Sequence, residues 1–257
     1  MTRETILQLA REQSAIDLHC SAADFTRTDP VIVHSQPDER ARRYLTLPFS
    51  CQLVSYGPNV VASVQPELEE AVRGYVSRYT PYHCFETPNL HALDALLAPH
   101  GVQTCFMAEY FLPDPALLPA LSTPYETRLL TQADFAPLYQ PEWSNALCRD
   151  RAHLDVLGVG AYDGDKLIAL AGCSADCDAM WQIGIDVLPA YRGRHIAAAL
   201  VSRLAQEILA RGKVPFYCAA WSNIRSVRTA IASGFRPAWV ELTAKPVEFI
   251  ARMNENA

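Results

Sequence analysis

The chain has 257 residues, half of them hydrophobic and 19% charged, with 22 basic against 28 acidic side chains and a net charge of −6. That length suits one large domain or two smaller ones with a sizeable core. The acidic balance argues against a nucleic-acid surface, which needs a basic excess, and no run of about 18 apolar residues is present to cross a membrane.

Met1 to Ser14 mixes Arg3, Glu4, Arg11 and Glu12 with short apolar stretches, which reads as an amphipathic helix and not as a signal peptide. Pro30 to Ser35, Cys51 to Tyr56 and Val60 to Val64 read as short strands. A helix follows Pro66 over Glu67 to Tyr79, with Leu68, Val72, Tyr75 and Val76 on one stripe. Leu90 to Leu97 reads as a second helix ending near Gly101, and Thr104 to Leu112 as a strand. The eight cysteines (20, 51, 84, 105, 148, 173, 177 and 218) are irregularly spaced. Without a secretion signal they imply reduced thiols and a cytoplasmic location. Cys173 and Cys177 lack a second pair at zinc-ligand spacing, so no metal is expected.

Leu112 to Pro124 holds four prolines in 13 residues and reads as a connector between a part spanning 1–120 and a part spanning 121–257. Beyond it the pattern is cleaner. Tyr125 to Leu130 reads as a strand, Thr131 as the cap of a helix from Gln132, and Glu142 to Asp150 as a further helix. Strands Val156 to Tyr162 and Lys166 to Cys173 flank the turn Asp163-Gly164-Asp165. Met180 to Val187 is the next strand. Ile196, Leu200, Leu204 and Ile208 recur at spacing four, one face of a helix ending before Gly212. Val214 to Ala220 is a strand, and Ser222 or Asn223 caps a helix that stops at Gly234. Ala238 to Leu242 and Val247 to Ala251 read as the last strands.

The most informative stretch is Ile185 to Ala197, Ile-Asp-Val-Leu-Pro-Ala-Tyr-Arg-Gly-Arg-His-Ile-Ala. An apolar strand stops at Pro189, and a helix starts inside the basic, glycine-bearing loop that follows. Unpaired N–H groups and the helix dipole favour an anion there, and Arg192 and Arg194 add charge. This is the chemistry of a pyrophosphate cradle.

Two motifs in order, Arg192-Gly193-Arg194-His195-Ile196-Ala197 after Val187-Leu188-Pro189, then Asn223 through Gly234-Phe235, resemble the GNAT superfamily of acyl-CoA-dependent N-acetyltransferases. The likeness covers about Tyr125 to Ala251. It implies an α/β (α+β mixed) fold, a mixed central sheet flanked by helices, preceded by a smaller mixed α/β N-terminal domain whose role is open, acceptor recognition being one candidate. It also implies two parallel strands splaying apart around the pantetheine arm of acetyl-CoA. Backbone groups of Ile185, Asp186 and Val187 would pair with that arm. The N–H groups of Gly193, Arg194, His195, Ile196 and Ala197 would bind the pyrophosphate, and Asn223 and Ser226 would lie near the thioester. His195 stands where the family usually has glycine; its ring either points outward or contacts a phosphate. Ala230 stands where many members have a tyrosine that protonates the leaving thiolate, so Tyr217 and Ser226 are the candidate substitutes.

The expected reaction is attack of a deprotonated primary amine on acetyl-CoA in a ternary complex, without a metal. Asp186 is the only carboxylate on the cofactor strand, and it either acts as base or makes a structural bond. Glu109 and Glu142 are remoter acids. His83 and His91 match no metal spacing. The rival class is a non-catalytic acyl-CoA-binding module. A dinucleotide dehydrogenase is disfavoured because Gly-x-Gly-x-x-Gly is missing from an early βαβ unit. The acceptor, a small molecule or a peptide amine, and the oligomeric state are not legible.

Overall fold

The computed structural model describes residues 1–255. The chain forms two compact units, one comprising Met1–Ala10 and Tyr110–Pro237, the other Arg11–Glu109 and the chain from Ala238 on.

In chain order the regular elements are α1 (Arg3–Leu18), β1 (Val31–His34), β2 (Cys51–Ser55), β3 (Val61–Val64), α2 (Glu69–Arg78), α3 (Thr87–Leu97) and β4 (Val102–Pro113). After the connector come β5 (Glu126–Thr131), β6 (Asp155–Asp163), β7 (Lys166–Ser174), β8 (Met180–Val187), α4 (Ile196–Ala210), β9 (Val214–Ala219), α5 (Ile224–Ala232), β10 (Phe235–Pro246) and α6 (Val247–Glu255). No described helix is long and apolar enough to cross a membrane.

In the Arg11–Glu109 unit, β1 pairs parallel with β3, β3 antiparallel with β2, and β2 antiparallel with β10 through Val240 to Ala244. One sheet face carries Cys51, Leu53, Ala62, Val64, Leu242 and Ala244, buried with Leu68, Val72, Tyr75, Leu93 and Leu97 from around α2 and α3. Period-two alternation from the strands thus meets the helical stripe foreseen after Pro66. The opposite face mixes buried Val54, Val61 and Trp239 with Gln52, Ser63 and a cluster of charges. Arg42 Nε donates to Asp17 Oδ2 at 2.5 Å and Arg42 Nη2 to Glu241 Oε1 at 2.6 Å, with all three side chains at most 5% exposed. Burying such charges is tolerated only because they are mutually paired and hydrogen-bonded.

The other unit carries the sheet β5-β6-β7-β8-β9. Its pairs are antiparallel except β8 with β9, which is parallel. Helix α4 lays Ile196, Leu200, Leu204 and Ile208 against Val159, Ala169 and Ile183, a spacing-four stripe meeting apolar strand residues. Gly164 takes φ +61° in the tight turn between β6 and β7, a conformation that glycine adopts without steric cost.

Three elements differ from the sequence expectation. Val247 to Ala251 forms the start of helix α6, not a strand. Its V-E-F-I-A pattern satisfies period two over five residues, too short a window to separate from 3.6. Glu142 to Asp150 is not one helix but a short 3-10 turn at Pro141–Trp143, an irregular segment, and another 3-10 stretch from Arg149. The helix after Thr131 is likewise a single 3-10 turn, Gln132–Asp134.

Candidate active site

The site begins where β8 and β9 part. Their parallel pairing covers Met180, Trp181 and Gln182 opposite Val214, Pro215 and Phe216, yet β8 continues to Val187 and β9 to Ala219. The N–H of Leu188 donates to Ile168 O at 3.0 Å, continuing the register in which Leu170 faces Asp186 and Gly172 faces Gly184. Antiparallel pairs alternate between bonded and non-bonded. The even-numbered residues of β8 therefore spend their backbone groups on β7. Ile183, Ile185 and Val187 turn theirs to the β9 side, past the last paired rung. Of the three positions expected to meet a donor arm, Ile185 and Val187 thus present backbone groups to the gap, and Asp186 does not. Arg192 Nε donates to Val187 O at 3.0 Å, which takes that carbonyl and ties the following loop to the end of β8.

The loop itself turns through two left-handed residues, Gly193 at φ +76° and His195 at φ +59°. At Gly193 an added Cβ would meet nothing within 4 Å, so glycine serves the backbone angle there and not close packing. His195 occupies the N-cap of α4 without a side-chain cap bond, and its side chain is exposed. The Ala199 N–H returns to His195 O at 3.2 Å. The N–H groups of Gly193, Arg194, His195, Ile196 and Ala197 make no backbone hydrogen bond among the described residues. They form an anion-receptive helix start with the dipole behind it. Arg194 is held to one side: Nη1 donates to Tyr125 OH at 2.5 Å and Nη2 to Ala190 O at 3.3 Å, and the guanidinium lies 5.3 Å from the Tyr191 ring centroid.

Asp186 has three partners. Oδ2 accepts from the N–H of Asn145 at 2.8 Å and of Ala146 at 3.0 Å, and Oδ1 accepts from Asn145 Nδ2 at 2.6 Å. A carboxylate has about four lone-pair positions, so most of its acceptor capacity is used. The same segment lies on glycines. A Cβ at Gly184 would stand 1.8 Å from Asn145 O, and one at Gly172 would stand 2.1 Å from Ala146 O. This explains why no helix runs from Glu142 to Asp150: the Asn145 N–H, which a helix would direct to an i−4 carbonyl, is drawn to Asp186 instead. A glycine inside a strand pattern signals close backbone approach, and Gly172 and Gly184 carried that signal in the sequence.

On the β9 side, Tyr217 is buried with Ala230 and Phe235, and its hydroxyl lies 2.7 Å from Ser226 Oγ. Burial pushes the Tyr217 phenol above its usual range, while the Ser226 contact pulls the other way. Asn223 is the N-cap of α5: its Oδ1 accepts from the Ser226 N–H at 3.2 Å. The cap thereby sets the serine that faces the tyrosine. Ala230 is fully buried, so a tyrosine at that point of α5 would have no room without repacking. Glu142 is exposed beside the buried Trp143, and Glu109 ends a stretch of β4 in the other unit. His83 Nδ1 lies 3.0 Å from Thr80 Oγ1. Among the described residues no group of three or more His, Cys, Asp or Glu could hold a metal ion.

Comparison with known proteins bears on this geometry. Residues 108–238, just over half of the chain, match the family model described as GNAT acetyltransferase. No match was found among curated proteins. Among solved structures, the chain is similar to a GNAT-family acetyltransferase of Novosphingobium aromaticivorans DSM 12444, at 22% identity over 56% of this chain and 66% of that one, TM-score 0.42. The chain thus spans just under two thirds of that protein. It is also similar to a GCN5-related N-acetyltransferase-like protein from Streptococcus suis 89/1591, at 19% identity over 61% and 69%, TM-score 0.45. A third is a GCN5-related N-acetyltransferase from Sphaerobacter thermophilus, at 14% identity over 73% and 72%, TM-score 0.47. These scores are too low to carry weight, and the assignment rests on the family match: the chain belongs to the GNAT acetyltransferase family.

Proposed function

We propose that this chain transfers an acetyl group from acetyl-CoA to a primary amine by direct attack in a ternary complex. The observation that carries the reading is the gap between β8 and β9, with the backbone groups of Ile185 and the N–H of Val187 on its edge and the row of N–H groups from Gly193 to Ala197 at its end. The residues fit an acyl-CoA. Ile185 and Val187 would line the pantetheine arm, the 193–197 loop would hold the diphosphate, and Asn223 and Ser226 would stand near the thioester. The donor supplies an activated acyl group.

What the chain supplies is position and proton control. In this reading Asp186 is a positioning residue that fixes Asn145 and Ala146 across β7 and β8. The amine then enters from its deprotonated fraction, and kcat/KM rises with pH toward the amine pKa of about 10. As the C–N bond forms and the C–S bond breaks, the attacking nitrogen sheds a proton to water, the Ser226 hydroxyl, backed by Tyr217, donates one to the leaving thiolate, and solvent returns the proton to Ser226. The Val187 N–H is placed to stabilise the oxyanion. Residues 121–257 carry this chemistry in the proposal, with residues 1–120 in acceptor recognition and the protein in the cytoplasm.

A second reading, acyl-CoA binding without turnover, draws on the spent carboxylate of Asp186 and the buried Ala230. Thiol release from acetyl-CoA, measured with Ellman's reagent across a panel of polyamines, amino sugars, amino acids and peptide amines, separates the two. Amine-dependent release supports the transferase. Tight acetyl-CoA binding with no release for any amine supports the binding module.

A further inference from the structure

The proline-rich segment before β5 lies within the unit of Met1–Ala10 and Tyr110–Pro237. It runs over the outer side of α4. The Asp114 N–H donates to Gly234 O at 3.1 Å, and a Cβ on Gly234 would lie 2.8 Å from Leu117 O, so the strap passes tightly over the end of α5. Ser202 Oγ and Gln206 Nε2 then donate to Pro119 O at 2.5 and 3.3 Å. Further along, Arg203 Nη1 donates to Thr127 O at 3.1 Å and to Thr127 Oγ1. Between these fixings the strap and α4 border a cavity of about 260 Å³ that is open to solvent on one side.

Leu121, Ala199 and Leu200 form the apolar part of its wall, and the polar part holds donors but no carboxylate. Ser122, Thr123, Tyr125 and Thr127 bring hydroxyls, and Arg203 brings a guanidinium. No carboxylate lies within 4.0 Å of Arg203 among the described residues, and its Nε and Nη2 make no hydrogen bond there. Tyr125 OH accepts from Arg194, which leaves its own proton to donate. A half-buried cation with several unspent N–H groups, ringed by hydroxyls, suits an oxyanion.

Position narrows the ligand. Arg203 lies seven residues into α4, about 10 Å along its axis. Helical side chains lean toward the N-terminus, so its guanidinium covers the turn at Ala199 and Leu200, which also line the cavity. The cavity therefore lies about one turn from the N–H row at Gly193 to Ala197. We propose that this cavity is a phosphate-monoester site with Arg203 as its cation, spaced to take a second phosphate group of a ligand whose diphosphate rests on the loop. Coenzyme A carries such a monoester on its ribose, and for that source the inference rests on the acyl-CoA reading above. Free orthophosphate offers the same chemistry without it.

Isothermal titration of the full chain at constant ionic strength tests the site with three probes: coenzyme A, dephospho-coenzyme A and orthophosphate. The expected result is at least tenfold tighter binding of coenzyme A than of its dephospho form, with the difference lost in Arg203→Gln. Saturable orthophosphate binding that Arg203→Gln abolishes supports the site with free phosphate as its occupant. The proposal is overturned if wild-type protein binds the two coenzymes alike and orthophosphate does not saturate. It is also overturned if Arg203→Gln keeps the wild-type preference. The wild-type comparison needs no variant, so an unfolded Arg203→Gln does not rescue it. If neither coenzyme binds, the acyl-CoA reading fails and the orthophosphate titration alone decides the cavity.

Discussion

Adding one methyl group at Gly184 is expected to unseat the segment that Asp186 holds. The new Cβ would stand 1.8 Å from Asn145 O, 2.8 Å from its carbonyl carbon and 3.2 Å from Ala146 Cα. Ordinary contact requires the segment to retreat by roughly 1.5 Å. Hydrogen bonds of 2.6, 2.8 and 3.0 Å to Asp186 do not survive a retreat of that size. A hydrogen bond to a charged group contributes about 1.5–3 kcal/mol; Asn145 is exposed, so water replaces much of what is lost and the three bonds together are counted at about 1.5 kcal/mol. Overpacking adds about 1–3 kcal/mol. Gly184→Ala should therefore cost about 2.5–4.5 kcal/mol, a fall in Tm on the order of 10 °C for a chain of this size. Scanning calorimetry reads it directly. Asp186→Ala frees the same segment, so the two substitutions act through one structure. The double variant should be less destabilised than the two singles together by at least about 1 kcal/mol. Additivity within about 0.5 kcal/mol, or a Gly184→Ala protein with wild-type Tm, refutes the clamp.

Gly193→Pro removes one N–H of the loop and forbids its φ of +76°. Coenzyme A affinity should fall more than tenfold by titration, while the circular dichroism of the exposed-loop variant stays that of wild type. The Tyr217 phenol has a folded pKa raised above its unfolded value of about 10. Between those two values the folded state binds the extra proton, so stability falls as pH climbs above about 10 and is unaffected below it. Urea midpoints from pH 8 to 11 should show that alkaline decline in wild type and a flatter one in Tyr217→Phe. Burial pushes the Cys51 thiol up to about 12, and its side chain is fully buried. Iodoacetamide at pH 8 should leave Cys51 unmodified in the native protein and alkylate it after denaturation, as read by mass spectrometry.

What the sequence made legible was local. The spacing of Ile196, Leu200, Leu204 and Ile208 reports a helix because each residue lies on the stripe that contacts the sheet. Gly164, Gly101 and Gly234 mark turns because their backbone angles exclude most other residues. The position of the anion-receptive loop follows from the same kind of signal, a strand end, a proline and a glycine ahead of an apolar stripe. The fate of Asp186 was not local. Its partners lie about 40 residues earlier in the chain, and nothing in Gly-Ile-Asp-Val says whether the carboxylate meets a substrate or a backbone turn. Gly234 shows both sides. Its helix-ending role is visible in the sequence, whereas its second role, letting Leu117 and Leu118 pass close by, depends on where the connector runs. His195 adopts a left-handed backbone that favours glycine. That backbone angle agrees with the glycine that the resemblance leads one to expect at this position, so the signal lay in the motif and not in the imidazole.

A crystal structure with coenzyme A tests the central claim most directly. The account predicts diphosphate oxygens within hydrogen-bond distance of the N–H groups between Gly193 and Ala197, and the pantetheine amides against Ile185 and Val187 in the gap beyond Gln182 and Phe216. Coenzyme A bound elsewhere, or that gap closed by direct β8–β9 pairing with the loop amides unoccupied, contradicts it.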